Sequence, residues 1–132
     1  MTFTVEGTIR AKQRARVTRN GTYTPKVTAT AEADIGALYK AAGGRLLDGA
    51  VRLSVLALFQ VPKRTTGLSA RPMKAPDADT ILKLVADALN GVAYRDDVQV
   101  VDARCRKHWV TGPWGDLAGG TGERLVITVE AL

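Results

Sequence analysis

A chain of 132 residues that is 45% hydrophobic and 24% charged carries enough apolar material for one domain spanning 1–132, and it excludes a disordered tail. A single cysteine, Cys105, excludes an internal disulfide and accords with a reducing cytosol. The opening MTFTVEGTIR lacks the basic start and apolar run of an export signal, and no stretch is apolar for long enough to span a bilayer, so a cytoplasmic protein without a membrane partner is expected.

Taken in chain order, FTVEGTI reads as a first strand. RAKQRARVTRNGTYTPK follows as a basic arm or irregular hairpin with an Asn20-Gly21 turn signal, and in an extended chain its Arg10, Lys12, Arg14 and Arg16 alternate onto one side. A solvated edge that resists aggregation accounts for the same pattern. From about Thr28 to Ala42, Ile35, Leu38, Tyr39 and Ala42 recur at helical spacing, and Gly43-Gly44 supplies a stop. VRLSVLALFQV alternates strictly, with Val51, Leu53, Val55, Ala57, Phe59 and Val61 on one face, and reads as the central strand. Pro62 ends it, and the loop KRTTGLSARPMKAP carries Lys63, Arg64, Arg71 and Lys74 without an acid. A second helix begins near Asp79 with Pro76 upstream and Asp77 or Asp79 at its cap; Ile81, Leu82, Val85 and Leu89 make its buried stripe and Asn90-Gly91 its exit. VQVVDARC and RLVITVEAL read as two last strands separated by the Gly-rich TGPWGDLAGGTGE. The order β, α, β, α, β, β predicts a mixed α/β or α+β domain in which two helices cover one sheet.

The net charge of +6 is uneven. Residues 1 to 26 hold six cations against Glu6, whereas Asp77 to Asp97 gathers five aspartates against Lys83 and Arg95. An acidic island in a basic surface suggests a polyanion whose phosphates meet a cation site. Asp77 and Asp79 flank the start of the second helix, and Asp96-Asp97 precede a strand; if that strand returns beside the helix start, both acidic pairs meet. Few hard oxygen ligands beside phosphate-binding cations suit Mg²⁺, which generates a nucleophilic hydroxide and neutralises a phosphodiester under attack. Lys83 lies four residues after Asp79 and four before Asp87 on one helix face, where its ammonium can stabilise developing negative charge. A surface salt-bridge ladder, a helix cap and a polar turn each explain one part of this pattern, but they leave the clustering an accident.

The segment PDADTILKLVADALNGVAYRDDVQVVDARCRKHW, together with GTIRAKQRARVTRNGTYTP, resembles the RusA family of Holliday-junction resolvases across most of the chain. The specific part is Asp-x-Asp, Lys four residues later, Asp four after that, DALNG, and Asp-Asp-x-Gln-Val. The resemblance implies metal-binding and catalytic aspartates at Asp77, Asp79 and Asp97, a catalytic lysine at Lys83, and supporting acids at Asp87 and Asp96. It implies phosphate contacts at Lys12, Arg14 and Arg16, to which the charge pattern adds Lys63, Arg64, Arg71 and Lys74. It further implies an Mg²⁺-dependent homodimer, with Mn²⁺ as a substitute, in a bacterial or phage-infected cell. That dimer would nick two strands of a four-way DNA junction symmetrically during recombination and repair. Thr80 stands where many members carry Asn, which touches a hydrogen bond beside the metal ligands.

Other readings compete less well. Cys105 and His108 are spaced like half a zinc site, but no second pair follows and His108 is the chain's one histidine. GLSARP and GGTG lack the Lys-Ser/Thr ending of a P-loop. Trp109 and Trp114 fit equally a splayed base or a packing anchor. A catalytically silent module that binds branched DNA is the main alternative, and metal-dependent cleavage separates the two.

Overall fold

The computed structural model describes residues 1–62, 69–111 and 122–132. Its elements are β1 (Thr2–Glu6), β2 (Arg16–Thr18), β3 (Gly21–Tyr23), α1 (Lys26–Ala41), β4 (Val51–Phe59), α2 (Ala78–Leu89), β5 (Val100–Trp109) and β6 (Arg124–Ala131). A four-stranded sheet runs in the order β1-β6-β4-β5, and β2 and β3 form a separate two-stranded hairpin. The mixed sheet with two helices is the architecture the element order implies.

The strictly alternating strand is an interior one, paired antiparallel with β6 and parallel with β5. Val51, Leu53, Val55, Ala57 and Phe59 are all buried on the helix-facing side. With Phe3, Ile35, Tyr39, Ile81, Leu84, Val85, Leu89, Ile127 and Val129 they form one continuous core, in which each large side chain removed from water contributes about 1.5–3 kcal/mol. The helices pack on each other, α1 against β1 and α2 against β4 and β5. Gly36 on α1 approaches the Ala88 carbonyl of α2, its would-be Cβ only 3.4 Å from that oxygen, so a small residue there lets the helices meet closely.

Two differences from the sequence reading have local causes. The hairpin turn consists of Arg19 and Asn20, because Thr18 pairs with Gly21, which takes the positive φ of 119° itself. The last parallel strand begins at Val100, later than its apolar pattern suggests, because Asp97–Gln99 form a short 3₁₀ turn. That turn is built by side chains: Asp96 accepts from Val98 N at 3.1 Å, while Gln99 accepts from Arg95 N at 2.8 Å and donates to Leu47 O and Gly49 O at 3.0 and 2.9 Å.

Since β4 and β5 are parallel, the connection between them must cross back over the sheet, and α2 makes that crossing. Its N-terminus therefore lies toward the ends of the two strands, where Lys107 Nζ donates to Lys74 O at 2.5 Å. Its C-terminus lies toward their beginnings, where Tyr94 bridges to Leu47.

Candidate functional site

Asp77 precedes α2 in extended conformation (φ −70°, ψ 151°) and its carboxylate makes no capping bond. Asp79 sits in the first turn, exposed, with one oxygen 2.9 Å from the Thr80 amide. The Thr80 hydroxyl donates to Asp77 O at 3.0 Å, so the residue that departs from the family pattern closes a bond within this turn. Asp97 follows the capping Asp96 in the 3₁₀ turn.

Among the described residues neither Asp77 nor Asp97 has an ion-pair partner, nor does Asp79. The neighbouring acids differ. Asp87 is half-buried and shared by two lysines, Lys83 and Lys12, each at 3.2 Å. Lys12 also pairs with Glu32 of α1. Its backbone N donates to Thr80 O at 3.1 Å, so the base of the arm is pinned to both helices. Partial burial lowers the Lys12 pKa, but the hydrogen bonds to Glu32 and Asp87 outweigh it and the net shift is upward. Lys12 is thus engaged inside the protein, while Arg14, Arg16, Arg71 and Lys74 are exposed. Lys63, Arg64 and Trp114 lie outside the described residues.

Tyr94, buried, donates its hydroxyl to Ala86 O at 2.7 Å, and its pKa is raised by burial and then by the charges of Asp97 and Asp87. Asp79 and Asp87 are eight residues apart on the helix, about 12 Å along its axis. The described residues thus bring Lys12, Glu32, Lys83 and Asp87 together and set Asp77 and Asp79 at the helix start. Accordingly no three of His, Cys, Asp and Glu among the described residues form a ready ligand group. The donor chemistry still fits a hard dication, since Mg²⁺ is bound through one or two carboxylates plus substrate phosphates. Among the described residues no cation pairs with the carboxylates of Asp77 and Asp79.

Three residues of this neighbourhood carry no signal in the sequence. These are Glu32, Tyr94 and Lys107; only the pairing of distant segments gives them partners. Cys105 and His108, three apart on β5, point to opposite sides of the sheet and make no joint site. Burial pushes the Cys105 thiol up to about 11, which keeps it protonated. Burial also lowers the His108 pKa, helped by Arg71 and Arg106. Trp109 is a packing anchor on the core, with its indole N–H bonded to Ser69 O at 2.9 Å.

Comparison with known proteins agrees with the arrangement. An uncharacterized protein, YqaN, of Bacillus subtilis (strain 168) is 46% identical over 43 residues, a stretch that covers 33% of this chain and 30% of that protein. Residues 6–129 match the family described as Endodeoxyribonuclease RusA. That span takes in the arm, both helices, β4, β5 and most of β6, and the chain belongs to the RusA endodeoxyribonuclease family.

Proposed function

We propose that this chain is an active Mg²⁺-dependent nuclease that works as a homodimer and resolves four-way DNA junctions by paired, symmetric nicks. The observation that carries the reading is the division of labour among the acids: among the described residues Asp77, Asp79 and Asp97 have no cation partner, whereas Asp87 and Asp96 are committed to Lys12, Lys83 and a turn. Carboxylates left unpaired in a protein of net charge +6 suggest a cation that is not part of the chain.

Asp77 and Asp79, with Asp97, are the residues that would hold the ion. When bound, Mg²⁺ supplies a nucleophilic hydroxide and neutralises charge on the attacked phosphodiester. Lys83 is 59% exposed at its side chain and free to turn toward a phosphate oxygen, where its ammonium stabilises the charge that grows during attack. Asp87 accepts from that ammonium at 3.2 Å and so orients it. Arg14 and Arg16 on the arm, with Arg71 and Lys74, contact backbone phosphates and set the register of the substrate. A two-fold dimer offers two equivalent sites to a junction of approximate two-fold symmetry.

The test compares a labelled four-way junction with linear duplex of the same sequence, in Mg²⁺ or chelator. Paired nicks on the junction alone are expected, lost with chelator and in Asp79→Asn; Lys83→Met should slow them by about 10²–10³. Junction binding without cleavage in Mg²⁺ or Mn²⁺ would favour the catalytically silent binding module, a reading that draws on the lack of a ready three-ligand group among the described residues.

A further inference from the structure

We infer that Lys74 and Lys107 form a clamp for adjacent DNA backbone phosphates at the N-terminal end of α2, an assignment that rests on the nuclease reading above. Lys107 belongs to β5 and pairs in register with Ala57, on the helix-facing side of the sheet. Its ammonium lies 5.3 Å from the centroid of the Phe59 ring, and that of Lys74 lies 5.7 Å from the same centroid. Phe59 is buried at the end of β4, so one fixed ring orients two mobile cations. Lys107 also donates to Lys74 O, which ties the loop before α2 to the strand.

A ring quadrupole attracts a cation but does not neutralise it, so both ammonium groups still present charge to an anion. Among the described residues neither lysine is paired with a carboxylate; the ion-paired cations are Lys12, Arg52, Lys83, Arg95 and Arg104. Arg71 and Arg106 add positive charge at the same end, and both act on His108 of β5. An arriving anion would neutralise this charge.

Its chemistry follows from the donors. Lysine is a compact charge with three rotatable donors, suited to phosphate without demanding one planar geometry. Lys74 stands three residues before Asp77, and the Asp77 side chain caps none of the first amides of α2, of which Asp79 takes that of Thr80, so the amides before it face the same end. An anion held there has the uncommitted carboxylates of Asp77 and Asp79 as neighbours, and a backbone fits because successive phosphates can lie on the lysines while the next approaches the acids. Sequence reading places Lys74 in a basic loop, but nothing in it pairs Lys74 with Lys107, 33 residues away.

The experiment is a salt titration of junction affinity in chelator, so that cleavage and metal play no part. The full chain is compared with Lys74→Met/Lys107→Met, in which methionine keeps the apolar stems, and with Lys74→Arg/Lys107→Arg. Loss of two phosphate contacts should flatten the plot of log affinity against log salt by about 1.8 in the Met variant. The Arg variant should keep the wild-type slope. A Met variant with the wild-type slope and a wild-type unfolding midpoint overturns the clamp and leaves the nuclease reading standing. A wild-type chain that binds no DNA overturns both. Inorganic phosphate at matched ionic strength that displaces wild type, but not the Met variant, from the junction would assign the pair to free phosphate and overturn the backbone assignment.

Discussion

Asp96 and Asp97 are adjacent and chemically identical, yet one oxygen of Asp96 is spent on the Val98 amide, whereas the Asp97 carboxylate accepts no hydrogen bond among the described residues. Their substitutions should therefore separate. Asp96→Ala loses a cap and should cost about 1 kcal/mol in chemical denaturation; Asp97→Asn should leave stability within about 0.5 kcal/mol and abolish junction cleavage. Equal stability losses in the two would remove the distinction. Lys12 makes a second residue-scale case. Its pKa is raised in the folded state, so the stabilisation it gives is complete below the ordinary lysine value of about 10.4 and disappears as pH rises through the higher folded value. Lys12→Met should thus be less stable than wild type at neutral pH, with the gap closing in strongly alkaline solution, as unfolding midpoints across pH would register. Asp102 has the opposite sign. Arg104 and Arg52 hold its pKa down, so its contribution is present above the ordinary carboxylate value and fades in acid. Asp102→Asn should match wild type only at low pH.

At the scale of elements, the arm divides into an anchored base and a projecting hairpin. Lys12 and Gln13 bond to α2 and α1, through Thr80 O and the Thr28 hydroxyl, while every residue of β2 and β3 is exposed. Replacing residues 16–23 by a short Gly-Ser linker should leave the unfolding midpoint nearly unchanged and weaken junction binding, most visibly at low salt where phosphate contacts dominate. A large drop in stability would show instead that the hairpin supports the fold. The α1 exit gives a contrasting case: a Cβ on Gly44 would fall 2.4 Å from the Tyr39 ring, and Tyr39 is buried with its hydroxyl bonded to Arg45 O at 2.6 Å. Gly44→Ala should cost about 1–3 kcal/mol, since a packed ring must move. The second glycine of the predicted stop is thus required by packing, whereas Gly43 takes the positive φ of 89°.

For the molecule as a whole, the acidic island and the basic surface meet around α2, with the uncommitted carboxylates Asp77 and Asp79 at its start and Lys83 on its exposed face. A homodimer should appear in light scattering as twice the 14.1 kDa chain mass; a monomer that still made paired nicks would require another source of symmetry. Strand alternation in 51–59, the helical stripe of 81–89 and the Asp-x-Asp, Lys, Asp spacing were all legible by eye, because each is a repeat within one element and its physical cause is local. The family motif was legible for the same reason. What the tertiary structure decided are relations between segments far apart in sequence. The parallel pairing of β4 with β5 sends α2 back across the sheet, and among the described residues no three acids form a ready ligand group. The same pairing brings Lys107 to Lys74, and packing of the arm base beside two helices gives Lys12 the partners Glu32 and Asp87. Local periodicity specifies which face of an element is buried; which element lies against that face depends on chain crossings that no window of sequence contains.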